Sequence, residues 1–444
     1  MTRKHKFQNT LYTNDNLYVL SGLNSGLVDL IYLDPPFNTK RTYSAPVGSR
    51  AAGTSFKDMW TWKDVNEHYL DTLAVKYPEL TKYIATVGGI HGKAMMAYLT
   101  YMAQRIIEMH RVLKDTGSLY LHCDSTAGHY LKLLLDSVFG KQGFRNVINW
   151  AYGTYLGRVD TLNYFPRKTD TIFYYTNGNS YTFNGVPSLD NYLDTVDGKR
   201  WGKYLTGNVI KEGEHPKTDT RFTQYREKWI REHGRKPKKG EVIYECKGDI
   251  ITDTWTDIKA VDPKSKERVG YPTQKPLALL HRIIKASSNE GDIVMDPFCG
   301  CATTCVAAQQ LGRKWIGIDI EKQAVGILVE RLSDDAGLFK DFIATDIIPK
   351  RTDVKIVPKS LSVKQRLYKE QNGKCNACGR DFEIWDFAID HIIPSSKGGG
   401  DYYENYQLLC GSCNSIKGAR PMEYLRLKIE TREKMMKTKI IFGE

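Results

Sequence analysis

The sequence predicts an α/β fold whose mostly parallel sheet is written in two separated halves, followed by a small metal-held module. Three observations predict it: strand-length apolar runs alternate with helical periods at both ends of residues 8–335, a polar and basic stretch divides them, and paired cysteines follow in the tail. At 444 residues the chain exceeds one compact core, so two or three domains are expected.

The first half opens with VDLIYL at 28–33, a mostly apolar run that enters the turn-forming DPPFN directly, as a buried parallel strand ends. Met95, Leu99, Met102, Ile106, Met109 and Leu113 recur at helical spacing. Residues 114–117 break that period, SLYLHCD resumes as a strand, AGHYLKLLLDSVFG reads as a helix and NVINWAY as a strand. The second half repeats the alternation, with helices in LALLHRIIKASS, TTCVAAQQLG and EKQAVGILVERL and strands in DIVMDPF and WIGIDI. Between them, residues 155–270 read as a polar, aromatic and basic inserted region. From Lys199 to Gly240 it carries 13 Lys or Arg against 5 Asp or Glu. Residues 346–366 contain prolines and basic residues without a long apolar period and read as a linker. The expected division is 1–154, 155–270, 271–345, 346–366 and 367–444.

Charge points to the partner. The 64 Lys and Arg exceed the 51 Asp and Glu, giving +13, which suits a polyanion such as nucleic acid, although a merely basic soluble protein gives the same figure. The start MTRKHKFQNTLYTND has no apolar leader and no later stretch reaches the length of a membrane span, so a cytoplasmic protein without a membrane partner is expected. Four of the nine cysteines form CxxC pairs, a pattern of metal ligation and not of a disulfide framework.

In DPPF, Pro35 and Pro36 stiffen the turn, so Asp34 and the adjoining carbonyls hold a fixed geometry and Phe37 presents a ring face. The pattern suits a flat base carrying an amine. Hydrogen bonds from the two N–H groups to Asp34 and the Pro35 carbonyl would localise the nitrogen lone pair, and stacking on Phe37 would hold a base flipped from the duplex. By itself the tetrapeptide is equally an ordinary strand-ending turn capped by Asp34. A second turn, DPFCGCATT at 296–304, lies between strand and helix, where Gly300 permits close backbone approach and the helix start favours an anionic group. Asp319 ends the next strand about twenty residues on, where a carboxylate reaches ribose hydroxyls. A glycine turn with a solvent-facing Asp319 is the plainer alternative.

With RVLKDTGSLYLHCD at 111–124, YPTQKP at 271–276 and WIGIDI at 315–320 added, the chain resembles the DNA amino-methyltransferases of adenine N6 and cytosine N4 over residues 8–335. It has their β arrangement, in which the catalytic tetrapeptide precedes the cofactor motif. The resemblance implies a Rossmann-like seven-stranded sheet, S-adenosyl-L-methionine as methyl donor and double-stranded DNA as partner; many enzymes of this arrangement form homodimers. It also implies that Asp34, Pro35 and Phe37 hold the target amine, that Thr273 and Lys275 lie near the methionine carboxylate, and that Asp296, Phe298, Gly300 and Asp319 bind the cofactor. Adenine N6 is the preferred target; DPPF is compatible with cytosine N4 as well. The usual small-Gly pair reads Cys301-Ala302 here, and the turn expected before the first strand reads Asn14-Asp15-Asn16 in place of a glycine start. No Pro-Cys pair occurs, which argues against the cytosine-C5 enzymes, whose covalent chemistry needs a cysteine nucleophile. Cys299 and Cys301 therefore read as packing residues.

Cys375-Asn-Ala-Cys378 and Cys410-Gly-Ser-Cys413 form two knuckles suited to a closed structural zinc site. The segment between and after them, IDHIIPSSKGGGDYYENYQLLCGSCN, resembles the HNH, or ββα-metal, nucleases over residues 370–418. That resemblance implies Asp390 and Asn414 as ligands of Mg2+ or a similar divalent ion, His391 as general base and Asn405 as the residue holding the His391 loop. A tail that only grips DNA, and a nuclease whose methyltransferase-like part merely regulates it, are the competing readings.

Overall fold

In the computed structural model the described residues are 9–334 and 342–429, apart from 40, 47, 53, 59, 61–76, 154–162, 164, 186, 189–204, 207, 214–219, 247–248, 398, 421, 423 and 427. Part of the expected insert and the last stretch of the tail, 430–444, thus lie outside the described residues. The chain forms two compact units, one of Met1–Thr182 with Thr256–Glu444 and one of Phe183–Trp255.

In the larger unit the strands run in the order Phe144–Ala151, Thr169–Thr176, Leu113–Cys123, Val28–Leu33, Ile293–Asp296, Lys314–Asp319, Asn9–Thr13 and Phe342–Thr345. Thr169–Thr176 alone among these runs antiparallel to its neighbours; the other pairings are parallel. Leu30, Ile31, Leu33, Val294 and Met295 are wholly buried, as strands covered on both faces must be. The helices Lys93–Val112, Gly128–Phe139, Leu277–Ser287, Thr303–Gln310 and Gln323–Asp334 form where the apolar periods predict them.

Four expectations need correction. Among the described residues the larger unit contributes eight strands to its sheet and not seven, because Phe342–Thr345 adds in parallel along Asn9–Thr13. The turn Asn14-Asp15-Asn16 follows a first strand, Asn9–Thr13, instead of preceding one, and Asp15 caps the helix Asn16–Gly22 by accepting from Leu17 N. The break at 114–117 is no loop: Leu113–Cys123 is one strand, with a register shift against Val28–Leu33 absorbing the extra residues while Lys114 pairs with Asp29 at 2.7 Å. Thr169–Thr176, expected in the insert, is a strand of the main sheet, because Tyr174 and Tyr175 bury between Leu113–Cys123 and Phe144–Ala151.

The expected linker is bound along its length. Asn14 Nδ2 donates to the Asp346 carbonyl at 2.8 Å, Asn24 Nδ2 to Thr352 Oγ1 at 2.8 Å, and Ser25 N to Asp353 Oδ2 at 3.0 Å. A Cβ on Gly22 would lie 2.0 Å from the Pro349 carbonyl oxygen, so only glycine admits this approach. Val357 N donates to the Asp401 carbonyl at 2.8 Å, and the helix Leu361–Glu370 begins inside the expected linker.

The tail folds as strand Phe387–His391, antiparallel strand Tyr406–Cys410 and helix Gly411–Lys417, around Val363, Leu367, Phe387, Leu408, Leu409, Met422 and Leu425. The smaller unit packs helix Thr220–His233 and the strand pair Val209–Lys211 and Val242–Glu245 around Ile210, Phe222, Trp229 and Ile243. Within it Tyr225 stacks on Tyr244 and the Arg235 guanidinium lies over the Trp229 ring.

Candidate active site

Val28–Leu33 and Ile293–Asp296 are neighbours although 260 residues separate them, and they carry the two proline turns to the same carboxyl edge of the sheet. This is where open α/β sheets place their ligands. A cavity of about 520 Å³ opens there, within the range of small-molecule sites. Asp34, Pro35, Pro36, Phe37, Thr273, Lys275, Asp296, Phe298, Gly300 and Asp319 all line it. The structure therefore brings together every residue expected in the catalytic and cofactor sets of the methyltransferase part.

Asp34 Oδ2 accepts from Lys275 Nζ at 2.5 Å, and Oδ1 is buried with no hydrogen-bond partner among the described residues. Lys275, expected at the methionine carboxylate, stands beside Asp34 and 5.7 Å from the Phe37 ring centre. The loop after DPPF is fixed by Asp58, whose carboxylate accepts from Asn38 N at 2.6 Å, Thr39 N at 3.1 Å and Thr39 Oγ1 at 2.5 Å.

On the cofactor side, Asp296 accepts from Phe298 N at 3.0 Å and from Thr304 Oγ1 at 2.5 Å. Burial pushes its carboxyl up to about 7, against those two bonds. Asp319 accepts from Gly300 N at 2.7 Å and Glu321 N at 2.9 Å; burial raises it to about 6. Gly300 has φ 49°, and a Cβ there would meet the Tyr271 ring at 2.9 Å, so this turn requires glycine. Ala302 takes φ 58° as the residue preceding helix Thr303–Gln310. Arg331, 6% exposed, supports that turn by donating through Nη1 to the Cys301 carbonyl and to Thr303 Oγ1, both at 2.8 Å. Asn16 Nδ2 donates to the Pro297 carbonyl at 2.8 Å and Arg105 Nε to Asn16 Oδ1 at 2.5 Å, so the unusual polar turn braces the cofactor loop. A cradle with a glycine-tight floor and carboxylates at adjacent strand ends fits an adenosine-bearing methyl donor.

Sequence reading missed Tyr271, Arg331, Asn16 and Asp58 as parts of this site. Tyr271 stood in YPTQKP and was readable there; the others act through contacts between distant segments that leave no local pattern. Cys299 and Cys301 are buried in packing.

In the tail the Sγ atoms of Cys375, Cys378, Cys410 and Cys413 all lie within 4.8 Å of one another, a donor set that fits tetrahedral zinc. Asn405, 2% exposed, accepts from Ile393 N at 2.8 Å and donates to the Ile393 and Gly400 carbonyls at 3.1 Å, pinning the loop after His391. His391 Nε2 lies 2.8 Å from Asp401 Oδ1. Asp390 accepts from Gln407 Nε2 at 2.8 Å and pairs with the buried Lys417 Nζ at 3.0 Å. Asn414 sits half-buried on the helix Gly411–Lys417. Asp390 and Asn414 are the oxygen donors that a hard divalent ion prefers, and Asp390, paired with the Lys417 ammonium, would take such an ion in exchange for that contact.

No helix among the described residues is long and apolar enough to cross a membrane. A family model described as DNA methylase matches residues 28–330, and one described as HNH endonuclease matches residues 375–420. The chain is 27% identical over 368 residues to the type II methyltransferase M.EcaI of Enterobacter cloacae, covering 76% of this chain and 72% of that protein. It is 26% identical over 323 residues to the DNA adenine methyltransferase YhdJ of Escherichia coli K12, covering 73% and 82%. Among solved structures, the M1.HpyAVI–SAM complex is 16% identical with a TM-score of 0.37, over 73% of this chain and 98% of that one. The chain thus belongs to the DNA methylase family of N6 and N4 enzymes, S-adenosylmethionine-dependent DNA methyltransferases, and carries an HNH domain behind its methyltransferase fold.

Proposed function

We propose that the enzyme methylates adenine N6 at a specific sequence in double-stranded DNA. The observation that carries this reading is Asp34, with one oxygen fixed by Lys275 and the other buried and unpartnered in the wall of the shared cavity. An amine N–H donating to Asp34 Oδ1, and its second N–H donating to the Pro35 carbonyl, satisfies that acceptor and localises the nitrogen lone pair. Phe37 stacks on the flipped base. S-adenosylmethionine, when bound, supplies a methyl group on a positively charged sulfur. Asp296, Phe298, Gly300, Asp319 and Thr273 would hold it, and Lys275, paired with Asp34, would also face its carboxylate. The name of the relative YhdJ supports adenine over cytosine. The test is nucleoside analysis of duplex DNA treated with labelled cofactor: N6-methyladenine is expected, N4-methylcytosine alone overturns the target, and Asp34→Ala is expected to lose transfer while still binding cofactor.

The smaller unit, 183–255, is proposed as the target-recognition region within the expected insert 155–270, whose strand Thr169–Thr176 belongs to the main sheet. Homodimer formation belongs to the same proposal, as does a cytoplasmic site of action in a prokaryote or phage, supported by the bacterial relatives. Sedimentation of the purified chain tests the dimer.

For the tail we propose zinc at the four cysteines and divalent-ion-dependent DNA cleavage with His391 as base, supported by the His391–Asp401 pair and the Asn405 brace. The Lys417–Asp390 pair favours a second reading, in which the tail grips DNA without cutting. Cleavage of unmethylated duplex that His391→Ala abolishes while methylation persists supports the first; no cleavage under any divalent ion gives the second.

A further inference from the structure

Behind the wall that carries DPPF, three polar side chains from three adjacent strands are joined in a line. Tyr32, two residues before Asp34, lines the cavity at 2% exposure, and its Oη lies 3.0 Å from Nδ1 of His122. His122 is wholly buried, and its Nε2 lies 3.0 Å from Asp170 Oδ2. The strands Val28–Leu33, Leu113–Cys123 and Thr169–Thr176 are consecutive in the sheet, so the line crosses it at right angles to the strands.

The hydrogens can be assigned from chemistry alone. Burial pushes the Asp170 carboxyl up, but the His122 hydrogen bond and the nearby charges of His122 and Lys275 together outweigh it and leave it below the ordinary carboxylate range. An ionised carboxylate only accepts, so Nε2 carries the imidazole proton and donates to Asp170. In the neutral imidazole Nδ1 is then a lone pair, to which the Tyr32 hydroxyl donates. One tautomer satisfies all three groups, with the hydrogen bonds running from the cavity wall toward Asp170.

The imidazole plane is set as well as its protons. Trp150 meets it edge-on, with ring centres 5.6 Å apart at 87°, and the indole N–H is itself tied to the Ile258 carbonyl at 2.7 Å. The face left by this clamp lies toward Phe37, whose ring is 6.3 Å away and only 19° from parallel. Phe37 therefore rests on a histidine whose orientation Asp170, Tyr32 and Trp150 fix from the sides.

We propose that Asp170, His122 and Tyr32 form a positioning relay for the target base: they hold Phe37 and the cavity wall at the depth at which a flipped base presents its amine to Asp34. The relay acts through Phe37 and the cavity wall, and it rests on the reading that Asp34 and Phe37 receive the base. A purely structural network would stabilise the sheet without preference for the reaction step. A positioning relay shows in the transfer rate and in the stacking of the base.

The test uses the full chain with Tyr32→Phe, which deletes one oxygen, Asp170→Asn, which removes the obligate acceptor, and His122→Phe, which keeps a ring beneath Phe37 but no hydrogen bond. Each is expected to slow single-turnover methyl transfer at saturating cofactor about tenfold, with cofactor and duplex affinities within about twofold of the parent. A duplex with 2-aminopurine at the target position is expected to show altered emission in the same variants, since the base no longer stacks at its proper depth. Parent-like rates and emission in Tyr32→Phe and Asp170→Asn, beside an inactive Asp34→Ala, overturn the relay alone. An active Asp34→Ala overturns the Asp34 reading and the relay with it.

Discussion

Lys275 Nζ lies 2.5 Å from one oxygen of Asp34, while the other oxygen of that carboxylate is buried without a hydrogen-bond partner among the described residues. The two side chains are 10% and 18% exposed, so the pair is largely withdrawn from water. Lys275→Ala leaves Asp34 charged and unpaired: thermal and denaturant unfolding are expected to show a loss of about 2 kcal/mol. Methyl transfer is expected to fall by about one to two orders of magnitude, because the carboxylate loses the contact that fixes its free oxygen.

Asp296 and Asp319 make the empty protein sensitive to pH. Burial raises both from 3.8, Asp296 to about 7 and Asp319 to about 6. The folded chain therefore holds these protons more tightly than the unfolded chain, so the associated stability is complete below about pH 4 and is lost as pH rises through the folded values. The melting temperature without cofactor is expected to fall between about pH 4 and about pH 7, and Asp296→Asn to flatten the slope. Asp353 and Asp170, held below the ordinary range, act in the opposite sense at lower pH and leave this window undisturbed.

Ala302 occupies left-handed backbone where the family usually has glycine. Ala302→Gly is expected to relieve strain worth about 1 kcal/mol, partly offset by glycine's extra freedom in the unfolded chain, and to leave cofactor affinity unchanged within error. Calorimetric titration with the cofactor checks both parts. Arg331→Ala, by contrast, is expected to weaken cofactor binding about tenfold, because the Cys301 carbonyl and Thr303 hydroxyl lose their donor.

The four thiols of the tail predict stoichiometric zinc, released on mercurial titration and lost in Cys410→Ser. Removal is expected to unfold the tail, whose core is small, and to make residues 361–417 protease-sensitive while the methyltransferase sheet melts as before.

Much of this was legible in the sequence because the strands of the main sheet are apolar runs ending in motif turns, and the long helices repeat at 3.6 residues. VDLIYL and DIVMDPF could be placed on strands from their own residues. That they lie side by side is a tertiary fact, reached beforehand only through family resemblance. Lys275 shows the limit: its motif was readable, whereas its pairing with Asp34 depends on a loop 241 residues away in the chain. His122, Asp170 and Tyr32 are scattered polar residues in apolar strands, and only strand pairing assembles them. Phe342–Thr345 escaped notice because its burial is slight and its pattern short, so nothing but its neighbour Asn9–Thr13 defines it as a strand.

The connector from residue 346 to 357 is fastened at both ends: to Asn14, Asn24 and Ser25 on one side, and through Val357 to Asp401 and Tyr406 on the other. A module joined this way behaves as the second arm of a ruler and not as a weight on a string. On the proposed reading of the tail, these bonds set its offset from the methyltransferase cavity, and a footprint of the tail is expected to keep a constant register with the methylated position.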